Sequence, residues 1–160
     1  MAALQVDLDN YADLTTLPAG ADLVGELRAW NAHHGAEISC MWLLAVTFAE
    51  DAVWGRGPAS WLNAGTAGPT GALQWVDPGG VFIPVDGLGR PAEWLPYFNW
   101  AGTECGVHVA LRVPIEQVFA AVAEVSRTRR RPRCVEWVQI NRDNRMIRPA
   151  AESLGSCHRN

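Results

Sequence analysis

The tetrad Asp77-Pro78-Gly79-Gly80 constrains this chain more than any other stretch. Proline followed by two glycines turns a backbone sharply, and β-forming runs stand on both sides of it, Gly71-Ala-Leu-Gln-Trp-Val76 and Val81-Phe-Ile-Pro-Val85. The pattern predicts an antiparallel hairpin. Further on, Pro114 suits a first helical turn and Glu116 complements the helix dipole. Ile115, Val118, Phe119, Val122 and Val125 then recur near the helical period. A helix over about 114–126 follows, ended by a basic turn, Arg127 to Arg133, in which Pro132 forbids continuation. Cys134-Val-Glu-Trp-Val-Gln-Ile140 alternates as a strand does.

Upstream, Leu23, Leu27 and Trp30 share a helical face across Ala21 to His34, with Asp22 and Glu26 near the amino end and Gly35 as a stop. Ile38 to Phe48 is branched and aromatic and reads as a buried strand, although its length also fits a helix. Gly55-Arg-Gly-Pro58 is a loop, Ala59 to Ala64 a short strand, and Gly65 to Pro69 and Asp86 to Pro91 are Gly-rich connections. Trp94 to Trp100 is an aromatic cluster that Pro96 restricts to an edge strand or extended loop. These elements define an α+β fold. It is a single domain over 1–150, mainly an antiparallel sheet packed with an N-terminal helix and the helix at 114–126, with residues 151–160 a flexible tail.

The 160 residues are 49% hydrophobic, enough for one core without metal or disulfide staples. Asp7 and Asp9 occupy the place where a signal peptide carries positive charge, and the longest apolar run, Cys40 to Ala49, covers about half of what a membrane helix needs. A cytoplasmic location is expected, with Cys40, Cys105, Cys134 and Cys157 as buried free thiols. The net charge of −4 conceals an asymmetry. Residues 1–60 set eight carboxylates against Arg28 and Arg56, for −6, whereas residues 127–148 set eight arginines against Glu136 and Asp143, for +6. The acidic half suits a cationic partner.

No phosphate-cradling loop, dinucleotide fingerprint, nucleophile elbow or metal-ligand spacing occurs, and the absence of lysine excludes Schiff-base chemistry. Cys105-Gly-Val-His108 has the residue types of a nucleophile and its base, or of half a zinc site with Cys157-His158, but lacks the remaining groups. A buried thiol and an ordinary imidazole account for the pair. His33-His34 at a helix end serve the dipole there. Arg131-Pro-Arg-Cys134 resembles the second half of a zinc-deaminase signature, yet Trp137 stands where the second cysteine belongs and no His-x-Glu precedes it. No enzyme, metal or cofactor is expected.

Eight tryptophans exceed what a core of this size encloses, so some reach the surface, where Trp, Tyr and Arg dominate interface energetics. Trp94, Tyr97 and Trp100, with the carboxylates Asp22, Glu26, Glu50 and Asp51, are the candidate partner-binding residues. The arginine turn 127–133 supports an alternative, a nucleic-acid-binding regulator that neutralises phosphates, against which the acidic total charge weighs.

Gly71-Ala-Leu-Gln-Trp-Val-Asp77, Val113-Pro-Ile-Glu-Gln-Val118 with its helix, and above all Arg131-Pro-Arg-Cys-Val-Glu-Trp137 give the chain a further character. In their order and spacing they resemble the first-numbered family of immunity proteins from bacterial polymorphic toxin systems, over roughly residues 60–140. The resemblance implies a small α+β protein, encoded beside a toxin that it binds and inactivates, often a nucleic-acid deaminase. It implies a non-enzymatic inhibitor whose partner is the cognate toxin domain.

Overall fold

The computed structural model describes residues 11–18, 20–34, 42–47, 60–87, 90, 93–99 and 104–140. In chain order these form β1 (Tyr11–Asp13), α1 (Leu23–His34), β2 (Trp42–Thr47), β3 (Trp61–Ala67), β4 (Thr70–Asp77) and β5 (Gly80–Pro84). Then come β6 (Trp94–Asn99), β7 (Glu104–His108), β8 (Arg112–Pro114), α2 (Ile115–Thr128) and β9 (Trp137–Ile140). Two short 3₁₀ turns, Val85–Gly87 and Val109–Leu111, precede β6 and β8. The result is an α+β fold with a mainly antiparallel sheet, as the sequence predicts.

The sheet runs β7-β6-β2-β3-β4-β5-β9, and its centre is the antiparallel pair β3–β4. The strands β2 and β4 each divide an outer edge between two partners. Along β2, Trp42 and Leu43 pair in parallel with β6 while Ala45 to Thr47 pair in parallel with β1. Along β4, Thr70 to Ala72 pair with β8 while Trp75 to Asp77 pair with β5.

Strand alternation explains the two faces. Leu62, Ala64, Leu73 and Trp75 are buried under α1 and α2, together with Leu27, Val118, Phe119, Ala121, Val122 and Val125. Of the five periodic apolar positions of α2, Val118, Phe119, Val122 and Val125 are core residues, each stabilising by about 1.5–3 kcal/mol on full burial, while Ile115 packs against them partly buried. The opposite face carries a smaller cluster of Ile83, Ala110, Val138 and Ile140. There Asn63 donates to Gln74 Oε1 across the β3–β4 pair at 2.8 Å.

The predicted hairpin is present, tightened so that Asp77 pairs with Gly80 around a two-residue turn. The Asp77 carboxylate accepts the Gly79 N–H at 2.7 Å and the Trp75 Nε1–H at 2.8 Å, which fixes the turn. A second hairpin stands where the glycines suggest a loop: Gly65 to Ala67 continue β3, and the chain reverses at Gly68-Pro69. Gly68 has φ +68°, suited to the first position of a tight hairpin turn, and Asn31 from α1 exchanges two hydrogen bonds with its backbone.

Three further expectations change. Strand β9 begins at Trp137, not Cys134, because Val135 turns into the core while Cys134 and Glu136 face solvent. Helix α2 ends two residues after Ser126, and Pro132 is not the cause. Arg129 adopts the left-handed conformation (φ 56°, ψ 34°) and returns its N–H to the Val125 carbonyl. The strand expected over Ala59 to Ala64 runs instead from Trp61 to Ala67.

Strand β6 lies between β7 and β2, yet Pro96 pairs only with Gly106 of β7, where its missing N–H costs no hydrogen bond to β2. The strand predicted over Ile38 to Phe48 is described at Trp42–Thr47. Gly35, the loop Gly55–Pro58 and the tail 151–160 lie outside the described residues. No helix among the described residues is long and apolar enough to cross a membrane.

Candidate partner-binding surface

Trp94 opens β6 and is the exposed large hydrophobic side chain among the described residues, 64% accessible. Its ring meets the edge of His108, with centroids 5.6 Å apart at 83°. The pairing follows from register, since Trp94 and His108 face one another across β6 and β7.

His108 is held in turn. Its Nδ1 accepts the Ala110 N–H at 3.0 Å and so caps the 3₁₀ turn Val109–Leu111, which requires that nitrogen to be unprotonated. At the other end of the turn, the Arg90 guanidinium donates to the carbonyls of Val109 (3.2 Å) and Arg112 (2.7 Å). The Val109 N–H reaches the Glu93 carbonyl at 2.9 Å. Gly87 packs so closely that a Cβ there would overlap the Ala110 carbonyl. Trp94 therefore projects from a support fixed by four separate contacts. An open cleft of about 460 Å³ lies alongside, lined by Pro69, Thr70, Arg90, Val109, Arg112, Val113 and Pro114.

The other candidate residues are distributed differently. Tyr97 lies in β6 opposite Cys105, described here by its backbone. Asp22 caps α1, its carboxylate accepting the Gly25 N–H at 2.9 Å, and Glu26 is half-buried one turn later. Trp100, Glu50 and Asp51 fall outside the described residues. Sequence reasoning missed Arg90 and the capping role of His108. The signal for the first was a lone arginine in a Gly-rich connection, and for the second a histidine immediately before a short apolar run.

The arginine turn is built to a similar standard. Glu124 of α2 accepts the N–H groups of Arg133 (2.8 Å) and Cys134 (3.0 Å), one on each oxygen. The hydrogen bond from Arg133, then that from Cys134, holds its carboxyl below the usual range against an opposing desolvation. Pro132 is fully buried and its carbonyl accepts the Trp137 indole N–H at 2.7 Å. Arg131 lies 4.2 Å over the Phe82 ring, and Arg129 donates to the Leu14 carbonyl at 3.3 Å. Trp137, half-buried, packs against the main core as expected.

Cys134 is a free cysteine at the surface, not the buried thiol that the sequence suggests; partial desolvation beside the turn, with help from the neighbouring Glu124, pushes its thiol up to about 11. No cluster of three or more His, Cys, Asp or Glu among the described residues is placed to hold a metal ion.

The chain is thus a two-helix α+β domain that presents an exposed tryptophan on a braced support. The family model of immunity protein Imm1 matches residues 12–139, four-fifths of the chain, and the chain belongs to that family. The match reaches back through α1 and β1, well beyond the 60–140 in which the resemblance is legible by eye. No curated protein matches the chain.

Proposed function

We propose that this protein is a cytoplasmic immunity protein that binds a cognate toxin of a polymorphic toxin system and neutralises it by blocking its active site or substrate groove. The family match over residues 12–139 carries this reading. The toxin is a nucleic-acid deaminase, a class whose substrate groove is cationic and whose capture an acidic partner would accelerate. Trp94, Tyr97 and Trp100 supply aromatic anchors, and Asp22, Glu26, Glu50 and Asp51 supply the charge. The protein contributes no chemistry of its own.

Trp94 is central because its exposed indole stands beside a braced turn, and aromatic side chains so presented dominate interface energetics. An interface of standard size, about 800 Å² on each side, fits a domain of this length.

Co-expression with the toxin domain encoded beside it is the direct test. Survival of the cells, a stable complex and suppression of uracil or inosine accumulation in their nucleic acid are expected. Absence of both rescue and complex would refute the reading, whereas rescue without any base conversion by the free toxin would refute only the deaminase assignment.

A further inference from the structure

We infer that the turn from Arg127 to Arg133 is a second, preorganised docking surface, and that its partner is an acidic protein surface. All five of its arginines are exposed. Among the described residues the guanidinium groups of Arg127, Arg130 and Arg133 make no hydrogen bond or ion pair, Arg127 acting on Glu124 only through space.

The backbone beneath them is fixed at more points than a helix-to-strand connection needs. Glu124 clamps Arg133 and Cys134, Pro132 is buried and bonded to Trp137, and Arg131 is seated on Phe82. At the helix end, Arg129 occupies a left-handed conformation that glycine would adopt without strain. Its guanidinium reaches back to the Leu14 carbonyl, a further tie that holds the turn in place. Simple complementarity to the helix dipole explains one or two cations at this position, not five.

The choice between acidic protein and nucleic acid follows from what surrounds the cations. Binding single strands also uses exposed aromatic faces, and here Phe82 is covered by Arg131 while the Trp137 indole is half-buried with its N–H engaged. Charge elsewhere points the same way. With the net −4 and the +6 of residues 127–148, the remainder of the chain carries −10. An anion long enough to leave the patch meets that repulsion, whereas a short acidic segment that stays within roughly 8 Å of the arginines does not.

The test uses the purified full chain and measures fluorescence anisotropy of a labelled oligoglutamate peptide and of an oligodeoxythymidylate of equal charge. The peptide binds in a salt-sensitive manner, the oligonucleotide more weakly, and the combined substitution Arg127→Ser, Arg130→Ser, Arg133→Ser weakens peptide binding roughly tenfold. Glu124→Ala separates rigidity from charge. It removes a negative charge beside the patch, so charge alone predicts tighter binding, whereas a preorganised turn predicts weaker binding, roughly threefold. Circular dichroism confirms that each variant is folded. Tighter peptide binding by Glu124→Ala, no effect of the triple substitution, or preferential binding of the oligonucleotide would each overturn the inference. None of these outcomes depends on the identity of a toxin.

Discussion

The two ends of α2 lie beside very different surfaces. Past its carboxyl end, Arg131-Pro-Arg-Cys-Val-Glu-Trp137 directs Pro132 and Val135 inward, ties Trp137 to the Pro132 carbonyl and leaves arginines outside. Ahead of its amino end, Val109 and Ala110 are buried in a short turn held by polar clamps from His108 and Arg90, and the Trp94 indole stands in solvent. The stretch that carries the family likeness most strongly is thus chiefly scaffold. The residue best shaped for contact belongs to no recognisable motif, which is reasonable for a protein whose partner sets its surface and whose core sets its fold.

Substitutions rank the two regions. Phe119→Ala, which opens a cavity beneath both helices and strips the ring from under Arg28 at 4.3 Å, should cost about 3–5 kcal/mol in chemical denaturation. Gly87→Val should come next, since any side chain there collides with the Ala110 backbone. The loss should fall on the Trp94 support, read as faster hydrogen exchange at Val109 and Ala110 than at β3 and β4.

Thr66→Val should act in the opposite direction, raising stability by about 1 kcal/mol. Its hydroxyl is buried without a hydrogen-bond partner among the described residues. A loss on that substitution would show that the hydroxyl is satisfied after all.

Glu124 sharpens the contrast through pH. Its folded carboxyl titrates below the unfolded one, so the stability it adds is present above the ordinary glutamate range and is lost as pH falls through the folded value. Melting curves of the wild type and Glu124→Gln should therefore converge on acidification below about pH 4 and separate above it. Smallest of all, Glu116→Gln should leave the melting temperature unchanged within error. The Arg28–Glu116 pair, though bidentate at 3.0 and 3.1 Å, is exposed on both sides.

Much of the fold was legible because local chemistry and global packing agree at particular places. The Pro78-Gly79 turn and the spacing of Val118, Phe119, Val122 and Val125 both point where the structure goes. Where the reading slipped, a tertiary contact decided the outcome. Gly65 and Gly68 look like loop residues until β2 and Asn31 are there to pair with them. Cys134 to Glu136 alternate like a strand, but the amide of Cys134 goes to Glu124, and no strand partner pairs with them.

The site was legible in part. Tryptophan load flagged the surface around Trp94, but nothing local reveals that His108 and Arg90 meet across a 3₁₀ turn. Their convergence on the backbone of one turn is set by the β6–β7 register and by the close approach of Gly87.

The account holds that the exterior of this domain recognises a toxin and that Trp94 is its anchor. Titration calorimetry of the cognate toxin domain into wild type and Trp94→Ala is the most direct measurement. A loss of at least about 2 kcal/mol in binding is predicted, with thermal stability unchanged. Equal affinities for the two proteins would contradict it.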